Sequence, residues 1–339
     1  MIKASLVLII SISVGATKIS FDRDGMLSAA KADGIDLNIL PMTPAALDSI
    51  EALYTPVVVP AVLQNATRID VHSHVVPSWY RALVPLTGDS PTPNWTVESH
   101  FALMASQSIR RSIVSISTPG ATVFAGDAAK SIALARLLNE YLAALTSVYP
   151  EHFSFYATTP LPYVEAAITE VNYALGTLHG SAIGLLSNFE GLYLGNAQLT
   201  PFFTYLNQLT NISSPSRNPV IFVHPNAPCL HYPGGSGSLI PANPTLYPTG
   251  TVEFYFETAR TFMDLSLSRT LINPTTLNRI VPHAGGSFPS IISRSLSLAS
   301  GQVRDQNMEV YARRLWWDTA GPIFPFQVQG LLGYGIRPS

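Results

Sequence analysis

The chain has 339 residues, 47% of them hydrophobic and only 12% charged, with a formal net charge of −2. Soluble domains usually carry about 25% charged residues, so the composition predicts a large core with strands covered on both faces. It excludes a nucleic-acid surface, which needs a basic patch, and the single cysteine, Cys229, excludes an internal disulfide or a cysteine-based zinc site.

At the N-terminus Lys3 precedes an apolar run that ends in small residues through Ala16. A basic start, about 12 apolar residues and a small-residue end form the pattern of a secretory signal. Residues 1–18 are therefore expected to direct export, with a buried N-terminal strand as the competing reading. The run is shorter than the ~20 residues of a membrane span, and no other segment reads as one, so no membrane partner is expected. Sequons at Asn65, Asn94 and Asn211 are compatible with export but also arise by chance. Residues 19–65 are expected to be an extension packed on the outside of the main domain, or partly mobile. Met26 to Lys31 reads as helical, and Pro41, Pro44, Pro56 and Pro60 read as breaks between loops.

From Ala66 onward, β-branched apolar runs alternate with segments of helical period. Strands are expected at 68–72, 112–117, 153–157, 182–187, 220–224, 279–283 and 314–318. Helices are expected at 97–109, 127–149, 163–179, 199–210, 252–270, 288–300 and 323–333. The second is the clearest, with Asp127 as its N-cap and Ala128, Ile132, Ala135, Leu138, Leu142 and Leu145 at intervals of three and four. Strand–helix alternation means parallel strands, and the fold class is α/β of the TIM (β/α)8 barrel type. Seven βα units are legible where a closed barrel has eight, so the barrel, spanning 66–339, is expected to be incomplete. Residues 211–219 and 226–250 are Pro/Gly/Ser-rich loops. The second follows His224, where a barrel places its substrate-covering loops.

The chemistry gathers at strand ends. Arg68-Ile-Asp-Val-His-Ser-His74 closes an apolar run with two histidines at i, i+2. Alternate residues of a strand share a face, so His72 and His74 can aim at one point and begin a metal site. His224 closes Ile221-Phe-Val and His283 follows Ile280-Val-Pro. A histidine at such a position is either a ligand or a hydrogen-bonded core residue. Beside His72 and His74 the ligand reading of His224 is preferred, while His283 reads as a ligand or as a general acid/base next to the metal. Gly285 and Gly286 would allow close approach of a substrate. Arg260 is the candidate substrate-binding cation, with a surface ion pair as the equal alternative. Trp79, Phe189, Trp316 and Trp317 read as core or as pocket walls. The glycines of Pro233-Gly-Gly-Ser-Gly237 follow no strand-to-helix turn and carry no dinucleotide fingerprint.

Arg68-Ile-Asp-Val-His-Ser-His-Val-Val-Pro77, Ile221-Phe-Val-His-Pro225, Val281-Pro-His-Ala-Gly-Gly286 and Trp317-Asp-Thr-Ala-Gly321 resemble the amidohydrolase superfamily, in the branch of non-oxidative decarboxylases related to aminocarboxymuconate-semialdehyde decarboxylase. Leu161-Pro-Tyr-Val-Glu-Ala-Ala and Gly184-Leu-Leu-Ser-Asn-Phe-Glu-Gly-Leu-Tyr-Leu-Gly195 resemble the fungal 6-methylsalicylate decarboxylase type. The similarity runs over roughly residues 66–339. It implies a barrel with one divalent metal, zinc first and manganese second, held by histidines matching His72, His74 and His224, with His283 acting on the substrate or on a metal-bound water. The superfamily's last ligand, an aspartate in a Gly-Ser/Thr-Asp-aromatic-Pro motif on strand eight, has no counterpart here. Asp318 belongs to strand seven by count, and its use as a replacement ligand is a lesser option. The expectation is thus a chain that stops before its eighth strand, the shortened product of an enzyme gene.

The resemblance further implies loss of CO2 from a small aromatic carboxylic acid of the salicylate type in secondary metabolism, with no redox cofactor. Relatives are commonly homodimers and often cytosolic, which conflicts with the exported look of the N-terminus. Two rivals stand beside this reading. One is a metal-dependent hydrolase of a lactone or amide, against which counts the lack of a lysine closing strand four. The other is a catalytically inactive product.

Overall fold

A computed structural model describes residues 21–209, 219–231, 239–243 and 245–336. The expected signal segment, the Asn211 sequon and the Pro233–Gly237 glycines lie outside the described residues.

Seven parallel strands form one sheet in strict chain order. They are β1 (Arg68–Val75), β2 (Ile109–Ile116), β3 (Phe153–Thr158), β4 (Ala182–Leu186), β5 (Val220–His224), β6 (Asn278–Val281) and β7 (Leu315–Trp317). All seven overlap the runs expected to make them, although β7 (Leu-Trp-Trp) carries no β-branched residue. Four consecutive residues of β5, Ile221 to His224, are buried, as a strand covered on both faces requires. β1 and β7 are the two edges of the sheet, yet the His72 and Asp318 side chains meet at 2.7 Å. The sheet therefore curls until its edges approach at the C-terminal ends of the strands. Among the described residues no eighth strand joins them, and the fold is an incomplete barrel of the TIM type.

Helices follow the strands as the periodicity predicts. α5 (Ala128–Val148) starts where Asp127 accepts a hydrogen bond from the Lys130 amide. The other helices of the barrel are α4 (Val97–Gln107), α6 (Val164–Asn172), α7 (Thr200–Gln208), α8 (Glu253–Leu267), α9 (Phe288–Leu296) and α11 (Phe326–Gly333). The single helix expected over 163–179 ends at Asn172 and widens into a π-turn over Tyr173–Thr177. Beyond Ala66, two helices were not anticipated, α3 (Ser78–Leu83) and α10 (Gly301–Arg313). α10 buries only Asn307, Val310 and Tyr311, so its sequence shows almost no apolar stripe.

The N-terminal segment departs furthest from expectation. After α1 (Arg23–Ala32) comes α2 (Thr43–Leu53), and Pro44 opens that helix rather than breaking the chain. Proline suits the first helical turn, where its missing N–H is not needed. α2 buries Ala46, Leu47, Ile50 and Leu53 in the same apolar cluster as Val75, Val114 and the α5 leucines. Arg136 of α5, fully buried, ties the segment down: it pairs with Asp33 at 2.6 Å and Glu170 at 2.9 Å and lies 3.6 Å from the Tyr173 ring centre. No helix among the described residues is long and apolar enough to cross a membrane.

Candidate metal centre and active site

β1 carries an irregularity between Asp70 and Ser73, immediately before the site. The Asp70 carboxylate holds it, accepting from the His72 amide at 2.9 Å and from the Ser73 hydroxyl. Such bulges re-aim the side chains that follow. Here His72 and His74 both reach the mouth of the curled sheet. The His72 ring centre lies 5.2 Å from His74, 5.1 Å from His224 and 4.9 Å from His283, and the His74 and His224 rings are 4.5 Å apart. All four predicted histidines thus form one cluster.

The donor atoms fit a divalent cation. His72, His224 and His283 each offer a nitrogen within 4.8 Å of the others. His74 Nε2 and His224 Nε2 stand 3.1 Å apart. A tetrahedral zinc with Zn–N bonds of about 2.0–2.1 Å holds its nitrogens about 3.3 Å from one another, so that pair is spaced like one edge of a coordination tetrahedron. His74, His224 and His283 are also held toward the neutral state that ligation requires. Burial, reinforced by His72 and His283, lowers His74 to about 3. Burial and the same neighbours push His224 well below its ordinary value. Burial and His72 lower His283 to about 4, against the pull of Asp318.

The four rings are not held alike. His72 Nδ1 meets Asp318 Oδ2 at 2.7 Å, and His74 Nδ1 meets the Ser115 hydroxyl at 3.0 Å. The Nδ1 atoms of His224 and His283 are buried without a partner. His283 sits in the turn Pro282–Gly285 with φ of 52°, followed by Ala284 at 48°. Non-glycine residues in this left-handed region cost about 1–3 kcal/mol each and collect at functional sites. Its ring stacks on Tyr255 of α8 at 5.4 Å. The neighbouring glycines also make room for the fold itself. A Cβ at Gly286 would fall 2.7 Å from the Tyr255 carbonyl oxygen, and one at Gly285 2.8 Å from the Trp317 ring.

Beside His224 opens a small cleft of about 30 Å³. Ile116, Leu185, Leu186, Phe189 and Phe222 make apolar walls, and Ser115, Tyr156 and Thr159 supply polar atoms. The Thr159 hydroxyl is buried and unpartnered. Mostly apolar walls with a few polar atoms are the usual lining of a small-molecule site, and here that lining includes the His224 imidazole. Phe189 is a wall of this cleft, Trp79 and Trp317 are core, and Trp316 is 50% exposed. Arg260 is outside the lining of the cleft. It pairs with Glu257 at 2.8 Å, and Glu257 also accepts from Asn188 at 2.8 Å and Tyr193 at 2.6 Å. Sequence reasoning missed Ser115 and Tyr255. Ser115 carried a faint signal, since it is the direct cross-strand partner of His74; Tyr255 carried none.

Comparison with known proteins agrees with this architecture. The family model described as Amidohydrolase matches residues 69–327. The decarboxylase yanB of Aspergillus niger is 35% identical over 239 residues, 68% of this chain and 62% of that protein. The 6-methylsalicylic acid decarboxylase acuB of Aspergillus aculeatus is 31% identical over 266 residues, 76% of this chain and 75% of that one. This chain therefore spans less than two thirds of the length of the first of these relatives. Among solved structures, an amidohydrolase II superposes with a TM-score of 0.68 at 25% identity, covering 79% of this chain and 83% of its own. A dihydroxybenzoic acid decarboxylase from Polaromonas, with bound manganese and an inhibitor, superposes at 0.60 with 20% identity, covering 79% and 81%. With its strand order, its histidine cluster and a family match over most of its length, the chain belongs to the amidohydrolase family.

Proposed function

We propose that the protein is a metal-dependent, non-oxidative decarboxylase of a small aromatic carboxylic acid resembling 6-methylsalicylate, acting in secondary metabolism. The observation that carries this reading is the gathering of four imidazoles beside an apolar cleft, three of them (His72, His224 and His283) with nitrogens within 4.8 Å of one another. The names of the Aspergillus relatives support the reaction class and the substrate.

His72, His74 and His224 are the residues proposed to hold the ion, with His283 beside them as the proton-transfer group. Zinc suits a set of neutral imidazoles, and manganese is the ion in the Polaromonas enzyme. When bound, the metal supplies a Lewis acid that orients the carboxylate and its neighbouring oxygen and offsets developing charge. The cleft seats the ring and keeps water from it. His283, neutral at rest, takes up a proton and passes it to the ring carbon bearing the carboxylate. The C–C bond then breaks, its electron pair restores the aromatic ring, and CO2 leaves; no electrons are exchanged with a cofactor.

The test is incubation of the full chain, loaded with zinc or with manganese, with 6-methylsalicylate. Release of CO2 and m-cresol is the expected result. Neither product with either ion would remove the substrate assignment, and turnover of a lactone instead would favour the hydrolase reading. Export through residues 1–18 is a separate proposal, tested by the N-terminal sequence of the mature protein.

A further inference from the structure

We propose that Asp318, at the edge of the sheet opposite His72, is a positioning residue for two imidazoles at once. It sets the tautomer of His72 and clamps the backbone turn that presents His283. The proposal rests on the metal-dependent reading above, but it concerns contacts of this chain alone.

Three N–H groups converge on the two carboxylate oxygens. Oδ2 lies 2.7 Å from His72 Nδ1. Oδ1 accepts from the His283 amide at 2.7 Å and from the Ala320 amide at 3.2 Å. The main chain adds a second clamp, with the Ala284 amide donating to the Asp318 carbonyl at 3.0 Å and the Asp318 amide to that of Val281 at 3.0 Å. The Asp318 side chain is almost wholly buried. An ionised carboxylate only accepts hydrogen bonds, so His72 must carry its proton on Nδ1 and keep the Nε2 lone pair free. A carboxylate behind a ligating histidine does this in many metal sites and raises the basicity of the ring. The other oxygen holds His283 and Ala284 in the left-handed conformation that neither residue prefers. A direct-ligand role is disfavoured by the same geometry, because both oxygens are already committed to these donors. Asparagine cannot replace the group. It has one acceptor oxygen, so either His72 Nδ1–H or the His283 amide would face an NH2.

The experiment combines ring-nitrogen NMR on the metal-free full chain with zinc titration of wild type, Asp318→Asn and Asp318→Ala against a competing chelator. In wild type, His72 is expected in the Nδ1–H tautomer; the Nε2–H tautomer would overturn the proposal without recourse to any variant. Both variants are expected to bind one zinc at saturation with affinity about 10–100-fold weaker, the usual effect of losing an outer partner. Asp318→Asn is expected to lose the single His72 tautomer and to speed exchange of the His283 amide. Unchanged affinity and tautomer in the variants would overturn the proposal, and so would zero zinc at saturation in a folded variant, which would mark a ligand. If wild type binds zinc but decarboxylates nothing, the substrate reading fails while the tautomer and affinity results still decide the role of Asp318.

Discussion

The two halves of the histidine cluster are built on different principles. His72 and His74 stand on a strand, and each has its Nδ1 occupied, by Asp318 and Ser115 respectively. His224 and His283 come from the other side of the barrel and leave Nδ1 buried and unpaired, and His283 rides on a strained turn. A ring whose far nitrogen is fixed presents one lone pair in one direction, which suits a permanent ligand. A ring without that anchor can change protonation and tilt, which suits proton transfer at His283. His224 belongs with the ligands by position, because its Nε2 already faces His74 Nε2 at 3.1 Å.

Substitution breaks this comparison most sharply at the shared ligand pair. His74→Ala or His224→Ala is expected to weaken metal binding by more than the roughly 10–100-fold of an outer-sphere change, read as metal per chain after dialysis. His283→Asn is expected to keep one metal per chain while kcat falls about 10²–10⁴-fold, the range of a lost general acid/base. Loss of the metal in that variant would move His283 into the ligand set.

Smaller effects sharpen the contrast. Ser115→Ala leaves His74 Nδ1 buried and bare, at a cost of about 1–3 kcal/mol, visible as a lower urea midpoint. Acid tests the neutral state of the rings in the metal-free protein. His74 and His283 titrate at about 3 and about 4 in the fold, against 6.5 in the unfolded chain. Between those values the unfolded state binds more protons, so the contribution of these two rings to stability falls as pH drops from about 6.5 toward 4. A His74→Gln variant should show a shallower fall. Arg260→Ala should be the mildest change, about 1 kcal/mol in stability, because the arginine is 48% exposed and the fully buried Glu257 keeps its hydrogen bonds from Asn188 and Tyr193.

Most of the frame was legible because its signals are local. The apolar runs of β1 to β7 stand between polar or proline-containing segments, and His72 and His74 declare their shared face by spacing alone. What escaped depended on tertiary partners. α10 carries Arg304, Asp305, Glu309 and Arg313 on a helix with three buried residues, so no stripe announced it. Pro44 read as a break, though it opens α2. The counting that put Asp318 on strand seven was right, but only the curl of the sheet brings it onto His72. The partner of Arg260 was in plain view three residues earlier, as Glu257, at the spacing of helical neighbours.

The central claim is that imidazoles from β1 and β5 share a single ion. Metal analysis of the purified full chain after zinc loading and gel filtration tests it most directly. The account predicts one zinc per chain, lost in His224→Ala; a wild type that retains no metal, or a His224→Ala variant that keeps a full equivalent, would contradict it.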